Sequence, residues 1–385
     1  MKTLICLLAS LFLASAATAQ DGTAQDGTAD PNARLAHFQK GVNLSHWYAQ
    51  SMTGDYEEER LASYFTEADA KLIKSMGFDH VRLTVDESIP LTKTAGQLNE
   101  GRLGKFDERV QMLLDAGLNV IVDLHPSDEF KEALHEQKNL DKLAQDWAAW
   151  AKRLSKFDPD RVMLEIMNEP SSTWPVQEWM VAQETILNAM RLAAPEHTIL
   201  VTPGGWSQAD LITEMRPYRD RNVVYTIHWY EPHLFTHQAA NWAGEACEGI
   251  AGLIWPVKPE QATEVTEQTT KAGSQSAKDL KWQIEQGWQT EQWAIDKLDA
   301  VVEWQRKHNV PVYVGEFGVY RKECPADTRY RWHEFFASEF QKRGWGWAIW
   351  DYAGGFSVLE DGSQPSGQRQ PDKALQGFIG LEQEG

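Results

Sequence analysis

Residues 161–170 of the chain read RVMLEIMNEP, and the interpretation of the fold starts from this stretch. Its apolar residues form a nearly continuous run, which is typical of a short strand buried on both faces in a parallel sheet. The run ends abruptly in Asn168, Glu169 and Pro170, where the proline fixes a turn. The sequence therefore predicts a buried strand that leaves a carboxylate at its carboxyl end.

A second stretch has the same construction. Residues 311–316 read PVYVGE, an apolar strand that also delivers a glutamate, Glu316, at its last position. Two carboxyl groups on separate strand ends suit glycoside hydrolysis, in which one protonates the leaving oxygen and the other attacks the anomeric carbon. Either glutamate alone is more simply explained as a solvated loop residue, but the pair favours the catalytic interpretation.

Strands and amphipathic helices alternate along the chain from about residue 38, with short connections. Residues 66–76, for example, predict a helix with Thr66 as N-cap and Gly77 as its stop. Eight such units predict an α/β fold, the (β/α)8 TIM barrel, whose chemistry lies at the carboxyl ends of the strands. The predicted strands are residues 41–47 with their exit loop, 80–85, 119–124, 162–167, 198–203, 222–229, 311–316 and 346–350.

One connection, the β6-α6 loop, is far longer than the others. It is an insertion of about 50 residues where loops of about 2–6 are usual, and insertions of that length are commonly functional or disordered. Its first half holds Trp242, Cys247 and Trp255, and we expect it to be ordered as a lid or wall beside the site. The polar second half, residues 261–278, is expected to be mobile.

The start of the chain is predicted not to belong to the barrel. Residues 1–19 combine a lysine, a short apolar run and the small-residue pattern ATA, as in a secretory signal peptide. Residues 20–36 contain the polar segment DGTAQDGTAD and are expected to form a disordered leader. We therefore predict one catalytic domain over residues 37–385, in a monomeric protein that is secreted or periplasmic.

The composition limits the possible partners. A formal net charge of −19 argues against nucleic acid and anionic membranes, and it favours a neutral or cationic substrate. No stretch approaches the roughly 18 consecutive apolar residues of a membrane-spanning helix. The chain has 17 tryptophans, which stack well on sugar rings although many must belong to the core. The expected partner is a polysaccharide or an oligosaccharide.

The polar residues at the strand ends form a recognisable set. It comprises an Arg in strand two, a His after strand three, Asn-Glu-Pro after strand four, His-x-Tyr at strand six, a Glu ending strand seven and a Trp after strand eight. With these motifs, which span nearly the whole chain from about residue 41, the sequence resembles glycoside hydrolase family 5. In this chain the matching residues are Arg82, His125, Asn168, Glu169, His228, Tyr230, Glu316 and Trp350.

The resemblance implies a retaining double displacement, with Glu169 as acid/base and Glu316 as nucleophile. Arg82 would keep Glu316 ionised and Tyr230 would orient it, because a nucleophile must be charged whereas an acid must stay protonated. The two carboxyl groups should lie about 5–5.5 Å apart. His125, His228 and Asn168 would bind sugar hydroxyls or tune the two carboxyl groups, and Trp350 would form an aromatic floor. Further candidate platforms are Trp47, Trp206 and Trp242.

The sequence leaves the substrate open. An endo-β-1,4-glucanase (cellulase) is the first choice. The alternatives are β-mannan, xyloglucan or β-1,3-glucan, cut by endo or exo action, and a non-catalytic carbohydrate-binding protein on the same scaffold. No cofactor or metal is expected, because His228, His233 and His237 lack a carboxylate-rich ligand set. The sequence has neither a glycine-rich phosphate loop nor a G-x-S-x-G nucleophile elbow.

Two cysteines follow the predicted signal peptide, Cys247 and Cys324. An even pair in an exported protein suggests a disulfide. Both cysteines follow strands that end at the proposed site, so a bond between them would join two loops. We predict this disulfide, with two free buried thiols as the alternative.

Overall fold

A computed structural model of the protein describes residues 30–171 and 173–381, so the predicted signal peptide, residues 1–19, lies outside the described part. Eight parallel strands close into a barrel in the order of the sequence, and the last strand pairs with the first. The predicted (β/α)8 barrel is confirmed. The strands are β1 (Lys40–Asn43), β2 (His80–Val85), β3 (Asn119–Leu124), β4 (Val162–Glu165), β5 (Ile199–Val201), β6 (Val223–Trp229), β7 (Val312–Phe317) and β8 (Trp347–Ile349).

Helices surround the barrel, and local capping explains where several of them begin. Thr66, for example, accepts a hydrogen bond from the backbone N–H of Ala68 (3.2 Å), and Asp69 completes a capping box. In the described part of the chain, none of the helices has the length and apolar character that a bilayer span requires. The helices are α1 (Pro31–Leu35), α2 (Glu58–Tyr64), α3 (Glu67–Ser75), α4 (Glu100–Asp115), α5 (Asp128–Ala133), α6 (Gln137–Leu154), α7 (Val176–Ala193), α8 (Gly204–Ser207), α9 (Ala209–Ile212), α10 (His233–Thr236), α11 (Glu245–Glu248), α12 (Ala262–Thr269), α13 (Gln275–Glu285), α14 (Glu291–His308), α15 (Ala326–Lys342) and α16 (Lys373–Phe378), with 3-10 turns at Asn241–Ala243 and Pro259–Gln261.

The strands are apolar on both faces because one face fills the barrel and the other packs against the helices. The outward faces and the helices form one large core. A separate, smaller core fills the barrel interior, where its side chains are almost fully buried. Its members from the strands are Ile121, Met163, Leu200, Val224, Tyr313 and Ala348.

The folded domain begins earlier than predicted. Residues 20–36 are expected to be a disordered leader, but this is wrong for the last of them, because Asp30 caps the short helix α1. Arg34 of α1 is buried and donates to Asp160 (2.8 Å), and Leu35 joins the small core inside the barrel. This five-residue helix owes its order to these tertiary contacts, since a helix so short is not stable on its own.

The long insertion after β6 is helical in the half that the sequence predicts to be mobile. The helices α12 and α13 pack against each other and bury Val265, Leu280 and Ile284. The prediction is wrong because the polar residues lie on the outer faces of two amphipathic helices. The first half of the insertion reaches the cleft above the barrel, where Trp242 and Ala243 line it.

The predicted disulfide is also wrong, because Cys247 and Cys324 are both free thiols. Each has a different neighbour: Sγ of Cys247 lies 3.5 Å from Nδ1 of His233, and Sγ of Cys324 lies 3.7 Å from the carbonyl oxygen of Pro325. Burial raises the pKa of Cys247 to about 11 and that of Cys324 to about 12. Both thiols therefore stay protonated at neutral pH and are poor nucleophiles.

Candidate active site

Arg82 lies at the centre of the site floor, in the middle of β2, and is fully buried. Its guanidinium donates to both carboxylate oxygens of Glu165 (2.7 and 2.8 Å) and to Oε1 of Glu316 (2.7 Å). Oδ2 of Asp123 lies 3.1 Å from Nη2. Burial acts to lower the pKa of Arg82, but the charges of Asp123, Glu165 and Glu316 outweigh it and raise that pKa well above its usual value. Arg82 is therefore a permanent cation that joins three carboxyl groups.

Two of these partners, Glu165 and Asp123, are not among the predicted site residues. Both are fully buried, Glu165 at the end of β4 and Asp123 next to the end of β3. Burial raises the pKa of each, that of Asp123 to about 7, while Arg82 acts in the opposite direction. The sequence did contain a signal for them. Each is a single acid inside an otherwise apolar strand, and a buried acid needs a cation, which the neighbouring β2 supplies.

Glu316 is held by two donors. It is the last but one residue of β7, and its Oε1 accepts from Arg82 while its Oε2 accepts from the hydroxyl of Tyr230 (2.7 Å). Tyr230 follows directly after β6. Burial, together with the negative charge of Glu316, raises the pKa of Tyr230 well above its usual value, so the phenol remains a donor. Both hydrogen bonds favour the ionised form of Glu316.

Glu169 lies on the loop after β4 rather than at the strand's last position. The strand ends at Glu165, and Glu169 has a φ of 43°, in the left-handed region that most residues avoid. The loop is anchored by Asn168, whose N–H donates to the carbonyl of Leu124 (2.8 Å). The Glu169 side chain is 26% exposed, so it faces the cleft more openly than Glu316 does. A strained residue held by its surroundings at a functional site is a common arrangement.

His228 lies between the two glutamates. Its Nδ1 is 2.8 Å from Oε1 of Glu169 and 3.5 Å from Oε2 of Glu316. Burial lowers the pKa of His228 to about 4, although the charge of Glu316 opposes this, so the ring is neutral. Because Nδ1 faces two carboxyl oxygens and Nε2 has no hydrogen-bond partner among the described residues, we place the ring proton on Nδ1. One nitrogen or oxygen atom from each of the three side chains lies within 4.8 Å of the other two. The two carboxyl groups are thus close neighbours.

Among the residues that the structure describes, the same three side chains, Glu169, His228 and Glu316, form a cluster whose spacing could hold a metal ion. The sequence predicts no metal. Both carboxylate oxygens of Glu316 already accept a hydrogen bond, one from Arg82 and one from Tyr230, and Nδ1 of His228 lies 2.8 Å from Oε1 of Glu169. The cluster therefore fits a pair of acids joined by a neutral donor.

Burial raises the pKa of both carboxyl groups. For Glu316, the charges of His228 and Arg82 oppose the rise and that of Glu169 adds to it. For Glu169, the charge of Lys131 opposes the rise most strongly. Because two close carboxylates repel each other, the pair retains one proton over a range of pH. That proton belongs on Glu169, since Glu316 accepts hydrogen bonds from two donors and Glu169 from one.

Asn168 and His125 connect the floor to the aromatic wall. Asn168 accepts from Arg82 through Oδ1 (3.0 Å), and its Nδ2 donates to Nε2 of His125 (3.1 Å). Nδ1 of His125 lies 2.9 Å from Oδ2 of Asp123, and burial lowers the pKa of His125 well below its usual value. The ring is therefore neutral with its proton on Nδ1. Trp350 stacks on it at 5.7 Å and 17°, with only 8% of its own surface exposed.

Of the further candidate platforms, Trp206 and Trp242 line the cleft and are 49% and 59% exposed. Trp206 follows β5 in a tight turn in which Gly205 has a φ of 58°. Trp47 is fully buried and donates to the carbonyl of Leu61 (2.8 Å), so its prediction as a platform is wrong. A core tryptophan and a platform tryptophan look alike in the sequence.

These residues form one cleft at the carboxyl ends of the strands. The cleft has a volume of 950 Å³, and Arg82 lies beneath it. Cleft-lining residues that are not among the predicted site residues include Asp128 and Lys131 of α5. The predicted site residues that line it are His125, Asn168, Glu169, His228, Tyr230, Glu316 and Trp350.

The barrel and the two carboxyl groups facing one cleft define the protein as a glycosyl hydrolase of the (β/α)8 class. The family model for cellulase (glycosyl hydrolase family 5) matches residues 39–355. The chain belongs to this family.

Known relatives are similar over most of this chain. Endoglucanase 3 of Fibrobacter succinogenes is 25% identical over 89% of this chain and 53% of its own length, so the chain spans about half of that relative. Cellodextrinase A of Ruminococcus flavefaciens is 25% identical over 79% of this chain and 82% of its own length. Two structures of Thermotoga maritima Cel5A, one with cellobiose and one with mannotriose, share the fold of this chain with a TM-score of 0.72 each. Each match covers 91% of this chain and 100% of the Cel5A chain, at 23% and 24% sequence identity respectively.

Proposed function

We propose that the protein is an endo-β-1,4-glucanase that hydrolyses its substrate with retention of the anomeric configuration. The observation that carries the retaining mechanism is the closeness of Glu169 and Glu316, which have carboxyl oxygens within 4.8 Å of each other. Retaining enzymes hold their carboxyl groups about 5–5.5 Å apart, whereas inverting enzymes leave about 6.5–9.5 Å for a water molecule. The signal-peptide pattern of residues 1–19 supports action outside the cytoplasm.

In the first step, a carboxylate oxygen of Glu316 attacks the anomeric carbon and forms a covalent glycosyl ester. The bond from that carbon to the leaving oxygen breaks, and the carboxyl proton of Glu169 moves to this oxygen. Arg82 and Tyr230 keep Glu316 ionised and aimed, since each donates to one of its oxygens at 2.7 Å. His228, which donates to the carboxyl group of Glu169 at 2.8 Å, orients the acid.

In the second step, Glu169 is ionised and removes a proton from a water molecule. The water oxygen bonds to the anomeric carbon and the ester bond to Glu316 breaks, which restores the carboxylate and releases the sugar. Because the two displacements occur on opposite faces of the carbon, the original configuration is recovered. The chemistry needs one ionised and one protonated carboxyl group at the start, and the raised pKa values and unequal hydrogen bonds of the pair support that state.

A β-1,4-glucan is the proposed substrate because relatives similar over most of the chain are named endoglucanase and cellodextrinase. The exposed faces of Trp206 and Trp242 in the cleft suit stacking on successive sugar rings. β-Mannan is the second candidate, since the structurally similar Cel5A binds mannotriose as well as cellobiose.

A substrate panel tests this proposal. Reducing-sugar release by the purified protein should be highest on carboxymethyl cellulose or barley β-glucan, lower on mannan, and at background on xylan and laminarin. A rapid fall in the viscosity of carboxymethyl cellulose would indicate internal cleavage, and NMR of the first products should show the β-anomer. Inactivity of folded protein on both glucans would contradict the proposal, and α-anomeric first products would contradict retention.

Replacing Glu169 by alanine should have an effect that depends on the leaving group. We expect cleavage of unmodified cello-oligosaccharides to fall by about 10²–10⁴-fold, because the departing oxygen no longer receives a proton. An aryl cellobioside with a nitrophenolate leaving group needs no proton, so its first step should persist and added azide should accelerate turnover. An equally large loss on both substrates, unrelieved by azide, would show that Glu169 is not the acid/base.

A further inference from the structure

Lys131 is a cation in the wall of the cleft that the roles described above leave unused. It belongs to α5, and its side chain is only 7% exposed although it lines the cleft. Among the described residues, the one hydrogen-bond partner of its ammonium group is Asp128, at 3.4 Å, and the side chain of Asp128 is itself 90% exposed. Such a long contact to a solvated carboxylate neutralises little of the lysine's charge. The ammonium group is therefore free to act on its other neighbours.

The helix that carries Lys131 is fixed at both ends. Ser127 caps it by accepting from the N–H of Phe130 (3.3 Å), and Ser127 itself donates through its hydroxyl to Glu87 (2.7 Å). Glu132, the next residue after Lys131, accepts hydrogen bonds from the hydroxyls of Ser171 and Thr173 in the loop after Glu169.

The helix that carries the cation is thus tied to the loop that follows Glu169.

The charge of Lys131 acts on the Glu169 side of the cleft. Of the charges that oppose the effect of burial on Glu169, that of Lys131 is the strongest. It also acts on Asp123, His125 and His228, whereas the main charges acting on Glu316 are those of His228, Arg82 and Glu169.

We propose that Lys131 is a positioning residue of the reaction, whose buried ammonium sets the upper pH limit of activity by acting on Glu169 from the same side of the cleft. This inference rests on the acid/base role proposed for Glu169. Burial favours the protonated carboxyl group that the first step needs, but the second step needs the carboxylate. Lys131 offsets part of the effect of burial on the pKa of Glu169, and so favours the carboxylate form that the second step needs. The charged and titratable groups that interact with Glu169 come from four strands or the residues directly after them and from α5: Lys131 and Asp128 of α5, Arg82 of β2, Asp123 of β3, His125 directly after β3, His228 of β6, Tyr230 directly after β6, and Glu316 of β7.

Replacing Lys131 by methionine removes the charge and keeps an unbranched apolar stem in the buried position. The loss of a nearby cation raises the pKa of Glu169, so the acid persists to higher pH. In the pH profile of kcat/KM for cellotetraose, we expect the alkaline limb to shift to higher pH by about one unit. Lys131→Arg should keep the wild-type limb, because it keeps the charge. With the nitrophenyl cellobioside, whose first step needs no acid, Lys131→Met should leave the alkaline limb unchanged.

Lys138→Met is the matched control, because Lys138 lies on α6 with 77% of its side chain exposed and pairs only with Glu136 (2.6 Å) among the described residues. Its pH profile should equal that of the wild type. If the alkaline limb of Lys131→Met were unchanged, or if Lys138→Met showed an equal shift, the inference would be overturned. In either case, activity of the wild type in the same assay would leave the proposed function intact.

A carbon-13 NMR titration of glutamate-labelled protein gives a readout independent of activity. The Glu169 carboxyl signal, assigned by its absence in Glu169→Gln, should titrate at higher pH in Lys131→Met than in wild type. An equal midpoint in the two proteins would overturn the inference even if no substrate were cleaved.

Discussion

Replacing Glu316 by alanine is expected to lower kcat on β-glucan by about 10⁵-fold or more, because the covalent intermediate can no longer form. The variant should remain folded, since it removes one acid from a floor that holds more carboxyl groups than the single cation Arg82 can neutralise. Steady-state hydrolysis with a melting temperature close to that of the wild type is the measurement. Glu323→Ala, an exposed glutamate in the same β7 loop, is the matched control and should be fully active.

Azide separates the two carboxyl roles by the configuration of the product. In Glu316→Ala, azide can occupy the place of the missing carboxylate and attack the anomeric carbon directly, which gives an inverted glycosyl azide. In Glu169→Ala, azide attacks the covalent intermediate instead and gives a glycosyl azide with the original configuration. If the two variants gave the opposite products, the roles of Glu169 and Glu316 would be exchanged.

Replacing Arg82 by methionine should have the largest effect on stability. The change leaves Asp123, Glu165 and Glu316 buried without their common cation, and breaking a buried ion pair from one side costs about 3–5 kcal/mol of the free energy of unfolding. Activity should be lost as well, because Glu316 is no longer held ionised. Urea unfolding followed by tryptophan fluorescence measures the first effect.

The loss of stability in Arg82→Met should be larger at high pH than at low pH. Without Arg82, the pKa values of the three buried carboxyl groups in the folded state rise further above their unfolded values. The folded state then binds more protons than the unfolded one, so stability should be highest in acid and fall as the pH rises through the folded-state pKa values. The deficit relative to wild type should therefore be larger at pH 8 than at pH 5. Arg331→Met, at an exposed position of α15, should stay within about 0.5 kcal/mol of wild type. An equal deficit at both pH values would contradict the role assigned to Arg82.

Much of the site was readable from the chain because of how the barrel is built. Parallel strands place their carboxyl ends on one face, so side chains at or just beyond separate strand ends must meet there, as His125, Glu316 and Trp350 do. Arg82 lies in the middle of β2, beneath them, and reaches Glu316 from there. The alternation of apolar strands with amphipathic helices was enough to predict that face. Resemblance to a family then gave roles to residues that spacing alone could only bring together.

Other features depended on contacts between distant segments. The sequence marks Asp123 and Glu165 as unusual, but only the register of β2, β3 and β4 brings both to Arg82. The position of His228 between two glutamates has no local signature, and neither does the separation of Cys247 from Cys324. These relations are distances across the fold, which local patterns do not encode.

The sequence by itself determined the barrel, its strand order and the residues at the rim, because hydrophobic periodicity and strand ends are local properties of the chain. Only the tertiary structure decided which carboxyl group accepts two donors, which cation acts most strongly on Glu169, and which tryptophans face the cleft. The physical reason is that pKa values and exposure are set by burial and by neighbouring charges, and in this fold those neighbours come from strands and loops far apart in the chain.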